Sequence, residues 1–283
     1  MSTTPRVIVI SGGTDGMGRA LALARLERGD RVLVIGSNPA KGARISAEAH
    51  RIGAGDRLEF IRADLSGIAH TRTAIRDIAG RYEVIDALCL FANRQSRRRT
   101  LTAEGLERTF ALYYLSRYLL GHELAPLLAR SAHPVIVNVA GVGVTAGKIY
   151  WDDLQLAQGY STVRAQLQAG RANDLLGASY ATRPRDPIPY VLYHPGFTKS
   201  GDLGPLPAPA RAFIRTAAVL FARTVEQSVE PIHGFLDHPP AAGLTAIDRG
   251  KTLPLDLATL DPEAAERLVV LTRQLLSNAV TAE

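Results

Sequence analysis

The chain has 283 residues, 46% of them hydrophobic, and a formal net charge of +6, which supplies one sizeable core and suits a single α/β domain. Its basic residues are scattered, without a Lys/Arg run interleaved with aromatics, and this argues against a nucleic-acid partner. Cys89, the one cysteine, precludes an internal disulfide; Met1 to Pro5 has no signal pattern, and no stretch of about 18 uncharged apolar residues occurs. The expectation is a cytoplasmic protein with no membrane span and no metal site.

In chain order, Val7 to Ile10 reads as a strand and Met17 to Arg28 as a helix, followed by strand Arg31 to Ile35 and helix Ala40 to Arg51. Strand Leu58 to Ile61 and helix Thr71 to Tyr82 come next, then strand Ala87 to Phe91 and helix Glu104 to Arg130. Strand Val135 to Val139, helix Val163 to Ala181 and strand Tyr190 to Tyr193 complete the alternating series. The strands are short and apolar, as strands covered on both faces are, and their alternation with helices predicts βα units around a doubly wound parallel sheet. Leu203 to Pro209 is Pro-rich and opens a tail, 203–283, with helical stretches at Ala210 to Arg223 and Pro262 to Ser277. The tail is expected to extend the same domain over the substrate end of the sheet.

Ser11-Gly12-Gly13-Thr14-Asp15-Gly16-Met17-Gly18 follows the first strand and opens the first helix, the context that separates a dinucleotide cradle from a chance glycine pattern. Gly12 permits the tight turn, Gly16 brings the backbone close to a pyrophosphate, and Gly18 allows close packing of helix on sheet. The free amides of the helix start favour phosphate. This makes the sheet Rossmann-type. About 20 residues further on, an acid at the end of the second strand would hold the ribose hydroxyls of NAD. Gly36-Ser37-Asn38 stands there instead, with Lys41 one turn into the next helix, so NADP(H) is favoured over NAD(H). Ser37 or Asn38 also suits a helix cap before Pro39. Asp64 and Leu65, after the third strand, lie where an acid meets the adenine edge.

On these motifs the chain resembles the short-chain dehydrogenase/reductase superfamily, within it the retinol-dehydrogenase-like and protochlorophyllide-reductase-like subgroup. The cradle is similar to the family's TGxxxGxG, with Ser11 for threonine, and Thr14-Asp15-Gly16 resembles the form of NADP(H)-using members. Thr102 to Glu107 and Gly147 to Leu154 are similar to the stretches before the fourth helix and after the fifth strand. His194-Pro195-Gly196, with Thr198 and Ser200, resembles the segment that contacts the nicotinamide carboxamide. The resemblance implies cofactor contacts from Gly12, Thr14, Asp15, Gly16, Met17, Gly18, Ser37, Asn38, Lys41, Asp64, Leu65, Ala92, Pro195, Gly196, Thr198 and Ser200. It also implies, by analogy, a homodimer.

The family's Asn-Ser-Tyr-Lys catalytic group falls on Tyr113, Gly141, Gln166 and Gly170, so every member is replaced. The family's NNAG falls on Leu90-Phe91-Ala92-Asn93. A shifted pairing of Tyr160 with Arg164 breaks the spacing to His194. The expected enzyme is therefore an atypical NADP(H)-dependent oxidoreductase that passes hydride to an activated C=N or C=C bond of a small molecule. Alternatives are a non-redox cyclase, isomerase or eliminase that keeps the cofactor structurally, and a non-catalytic NADP(H) sensor or scaffold. Tyr113 is the preferred substitute proton donor, with packing as its bland reading. Gln166, Lys148 and Asp152 are further candidates, the last two on the loop containing Tyr150, Trp151 and Asp153. Arg94, Arg97, Arg98 and Arg99 suit an anionic or carrier-bound substrate, or are a solvated loop.

Overall fold

In the computed structural model, the described residues are 5–182, 188–196 and 224–280. Eight strands form one sheet in the order β3-β2-β1-β4-β5-β6-β7-β8, parallel except for the terminal antiparallel pair. They are β1 (Val7–Ser11), β2 (Arg31–Gly36), β3 (Leu58–Arg62), β4 (Ala87–Leu90), β5 (Val135–Val139), β6 (Tyr190–His194), β7 (Leu244–Asp248) and β8 (Lys251–Thr252). Successive strand residues face opposite sides, so each of β1 to β7 feeds two cores, whereas both residues of β8 are exposed. Val9, Leu33, Leu88 and Leu192 face one layer; Ile8, Val34, Cys89 and Val191 face the other.

Helices α1 (Gly16–Glu27), α2 (Pro39–Arg51) and α8 (Val225–Asp237) cover the second face. The first face carries α3 (Ile68–Arg81), α4 (Arg108–Phe110), α5 (Ser116–Glu123), α6 (Ala125–Leu128), α7 (Thr162–Ala181) and α9 (Pro262–Val280). Side chains cap the starts that matter for the site: Asp15 for α1, Asn38 for α2 with Pro39 behind it, and Ser161 for α7. Among the described residues no helix is long and apolar enough to cross a membrane.

The helix expected over Glu104 to Arg130 is broken. Glu107 accepts hydrogen bonds from the Thr109 and Phe110 amides and starts the helix late. Residues Ala111–Leu115 then form a π-helical turn, and Pro126, which has no N–H to give, opens α6 as a separate piece. The described part of the tail, 224–280, is built into the sheet and both helix layers. Its α8 contains Pro231, which reads as a breaker, yet a Thr224/Gln227 capping box starts it. Buried Arg25 joins it to α1, reaching Asp30 at 2.6 Å and Asp237 at 2.5 Å. The Ala210 to Arg223 stretch lies outside the described residues.

Candidate functional site

The carboxyl ends of β1, β2, β4, β5 and β6 converge on one edge, and the cradle opens there. Gly12 has φ +72°, and a Cβ on it would lie 2.8 Å from the Ala92 amide, so the loop after β1 packs directly on the chain leaving β4. A Cβ on Gly18 would meet the Gly12 carbonyl at 2.5 Å, which fixes the seat of α1 against its own loop. Both contacts keep the backbone bare where phosphates approach a helix start, so these residues fit a dinucleotide. At the end of β2, Lys41 forms an ion pair with Asp15, Arg44 lies 3.4 Å from the same carboxylate, and Arg44 also reaches the Thr14 carbonyl at 3.4 Å. The hydrogen bond from Lys41 is the main reason Asp15 is held below the usual carboxylate range. Two cations thus stand over the phosphate loop, where the sequence reading had only Lys41. Their spacing of three on α2 was the available signal.

Asp64 accepts from the Ser66 hydroxyl at 2.7 Å and amide at 3.1 Å and pairs with Arg108 at 2.8 Å. Burial pushes its carboxyl up, but Ser66 and Arg108 outweigh that and hold it low. Pro195 and Gly196 leave β6 at the same edge, where His194 Nδ1 and Asp248 Oδ1 are 2.7 Å apart across β6 and β7. Burial raises Asp248, and bonds from Arg249 and His194 outweigh it. Thr198 and Ser200 lie outside the described residues.

At the reaction end, Gln166 exchanges two hydrogen bonds with Asn93, at 3.0 and 3.2 Å, linking α7 to the chain after β4. An amide pair can hold and orient, but neither group can give up a proton near neutral pH. One turn further along α7, nothing lies within 4 Å of a Cβ placed on Gly170. At Gly141 the nearest such atom is Val144 Cγ2 at 3.5 Å. Tyr113 occupies the middle of the π-helical turn and packs on Ala140 and Ala169, the residues preceding those two glycines. The Gly141 N–H interacts favourably with its phenol oxygen, while burial, the larger effect, pushes the phenol up. The main-chain carbonyl of Tyr113 accepts from Asn173 Nδ2 at 2.8 Å.

Beneath Tyr113 runs a buried polar network. Asn138 donates to Asn173 at 2.9 Å and to the Tyr190 hydroxyl at 2.8 Å, and accepts from Arg117. Arg117 also donates to the carbonyls of Val139 at 2.9 Å and Ala92 at 3.0 Å, tying the ends of β4 and β5 together. Asp174, one turn beyond Gly170, is 1% exposed; its Oδ2 accepts from the Gly143 amide at 3.1 Å, and its Oδ1 has no partner among the described residues. Burial pushes its carboxyl up to about 7.

Residues 6–152, more than half of the chain, match the short chain dehydrogenase family. The protein belongs to that family. It is 31% identical over 192 residues to a protein of Streptomyces sp. strain C5 provisionally named a daunorubicin C-13 ketoreductase, covering 68% of this chain and 65% of the relative. Bovine retinol dehydrogenase 12 is 27% identical, covering 69% and 62%, and human polyprenol dehydrogenase is 29% identical, covering 58% and 51%. The chain thus spans between half and two thirds of the length of these relatives. Among solved structures, a Streptomyces avermitilis short-chain dehydrogenase superposes with a TM-score of 0.62 at 17% identity, covering 99% and 97% of the two chains. A short-chain-dehydrogenase-type protein of Escherichia coli CFT073, complexed with NADPH, gives 0.62 at 17% identity, covering 87% and 97%.

The other candidates have partners of their own or face solvent. Lys148 stacks on Tyr150 at 4.9 Å and lines a groove of about 240 Å³ with Arg164, Leu167 and Gln168, on a flank of α7 turned away from Gln166. Asp152 is exposed, and Asp153 caps a turn through the amides of Ala157 and Gln158. Tyr160 donates to the Ser96 carbonyl, whereas Arg164 stacks on Tyr150 at 3.8 Å, so those two do not form a pair. Of the arginine cluster, Arg94, Arg97 and Arg98 are exposed, and Arg99 bonds the Gln155 carbonyl at 2.9 Å.

Proposed function

We propose that this short-chain dehydrogenase is an NADP(H)-dependent oxidoreductase that reduces an activated C=N or C=C bond of a small molecule without the family's Tyr/Lys acid. The observation that carries the reading is the contrast at one edge of the sheet: a cradle crowned by Lys41 and Arg44, and a reaction end where Gln166 is tied to Asn93 and Gly170 faces open space. Bound NADPH supplies a hydride, the electron pair going to the electrophilic carbon and leaving NADP⁺. An iminium needs no proton in return, because the hydride neutralises its charge. A polarised alkene needs one at the neighbouring carbon, and Tyr113 is the residue we assign to give that proton and recover another from solvent.

The chain's own residues define what is accepted. Gln166 offers one donor and one acceptor, so it orients a polar substrate group without protonating it. The absent lysine and serine side chains enlarge the space beside Tyr113. Losing a positioned acid forfeits roughly 10²- to 10⁴-fold in a step that needs one, which disfavours unactivated ketones and spares substrates already polarised. The test begins with the purified protein, denatured and assayed for bound NADP(H). Cyclic imines, iminium salts and enones are then offered with NADPH, following absorbance at 340 nm and product by mass spectrometry. Oxidation of NADPH matched by reduced product is expected; product formed with the cofactor unchanged overturns the proposal.

A further inference from the structure

A guanidinium is costly to bury, and a carboxylate ordinarily accompanies it. Arg117 is 1% exposed, and no carboxylate pairs with it among the described residues. Its partners are three neutral oxygens, on Asn138, Val139 and Ala92, and its Nε has none. What does accompany it is an aromatic ring. The guanidinium carbon lies 4.6 Å from the centroid of Tyr113, four residues earlier on the same helical segment.

We propose that Tyr113 and Arg117 form the acid pair of this site, Arg117 serving the Tyr113 phenol in the way the family's lysine serves its tyrosine, with the pair moved from α7 to the segment after β4. This rests on the reading of Tyr113 as the proton donor and deepens it. Tyr113 touches the substrate and Arg117 acts through it, as a positioning and electrostatic residue.

The placement is the first support. Tyr113 packs on Ala140 and Ala169, the residues that precede Gly141 and Gly170, where the family's serine and lysine fall. The π-helical turn is the second. It frees the Tyr113 carbonyl for Asn173, which is joined through Asn138 to Arg117, so one network fixes both ring and cation. Guanidinium geometry is the third: a planar, delocalised cation suits the face of a ring, where an ammonium would sit beside the oxygen.

The charges around the phenol give the pair its behaviour. Arg117 and the Gly141 N–H favour the phenolate; burial opposes it most strongly, and Asp174 on α7 opposes it when ionised. Tyr190 on β6 is the other phenol that acts on Arg117. Burial prevails, so Tyr113 holds its proton until a substrate takes it. On transfer the phenol O–H bond breaks, the new bond forms at the substrate atom beside the carbon that received hydride, and Arg117 stabilises the phenolate left behind until water reprotonates it.

The experiment places a fluorinated tyrosine at position 113 of the full chain and follows its ionisation by ¹⁹F NMR, without substrate. The same label at position 114 is the comparator: Tyr114 is fully buried on the same turn, bonds Thr272 at 2.8 Å, and has no guanidinium over it among the described residues. The label at 113 is expected to ionise at least about one pH unit below that at 114. Arg117→Met is expected to raise position 113 by about one to three units and leave 114 in place, and Arg117→Lys to recover at least half of the shift. Equal ionisation at the two positions in the otherwise unaltered chain overturns the pairing, and so does an unmoved 113 in a folded Arg117→Met variant. Should that variant not fold, the comparison of 113 with 114 decides alone. Unchanged turnover in Tyr113→Phe instead refutes the donor role, a failure separate from the titration.

Discussion

Asp174 gives the sharpest quantitative handle on the site. Its carboxyl, 1% exposed, has a hydrogen bond from Gly143 and Arg171 as an opposing charge, and burial outweighs both and raises it from 3.8 to about 7. In the unfolded chain it ionises near its ordinary value, whereas in the fold it keeps its proton to about pH 7. Between those values the folded state binds more protons, so stability falls as pH rises, and it levels off above about 7. Each unit of difference is worth about 1.36 kcal/mol, which over the interval amounts to about 4 kcal/mol as an upper figure. Asp174→Asn keeps the oxygen that accepts from Gly143 and cannot ionise. Any cost of its unpartnered amide is the same at every pH, so it drops out of the comparison across pH. Urea unfolding of both proteins at pH 4.5, 5.5, 6.5 and 8 measures the difference. The asparagine variant should gain steadily on the wild type, by up to about 3 kcal/mol at pH 8 relative to pH 4.5. A gap between the two that stays constant across that range refutes the assignment of a buried, protonated carboxyl.

Lys41→Ala and Arg44→Ala should each weaken NADP⁺ binding about tenfold or more by calorimetry while leaving NAD⁺ within about twofold, since each removes a charge-assisted contact to the 2′-phosphate; equal losses for both cofactors would place these cations elsewhere. Gly12→Ala, which drives a Cβ to 2.8 Å from a main-chain amide at φ +72°, should abolish NADP⁺ binding and lower the melting temperature. Gly170→Ala, with nothing within 4 Å, should stabilise α7 by about 0.5–1 kcal/mol in chemical denaturation; a loss there would mean the space is not open. Arg25→Met leaves Asp30 buried without its cation and should cost about 3–5 kcal/mol in urea unfolding, against under about 1 kcal/mol for exposed Arg51→Met.

Much of this could be read along the chain because it is periodic or local. The first six strands are apolar runs that a doubly wound sheet buries on both faces, and their edges move by a residue or so at most. The cradle is legible because its glycines are spaced within one strand-turn-helix unit, Gly18 answering to its own loop, although the chain that Gly12 packs on, after β4, is distant in sequence. What escaped reading depends on distant partners. β7 is a short mixed segment, Leu-Thr-Ala-Ile-Asp, that becomes a strand only because β6 offers it a parallel edge. Helix α8 forms despite Pro231 because its apolar face meets α1 and β5. Arg44 needed the fold of α2 over the phosphate loop before it could be placed beside Lys41.

The same distinction separates the residues at positions 166 and 170 from the surroundings of Tyr113. A missing tyrosine and lysine are read from one helix, by spacing alone. Tyr113 and Arg117 also share one segment, but their significance comes from Ala140, Ala169, Asn138 and Asn173, which belong to β5, the loop after it and α7. In sequence, Tyr113-Tyr114-Leu115-Ser116-Arg117 is a stretch of an apolar helix with one arginine. Only the π-helical turn and the converging strand ends bring that arginine under a phenol, at 4.6 Å and away from water. A charge kept in such a place, with no carboxylate pairing it among the described residues, is destabilising unless something compensates it, and what the fold sets around it is three oxygens, on Asn138, Val139 and Ala92, and the face of the Tyr113 ring.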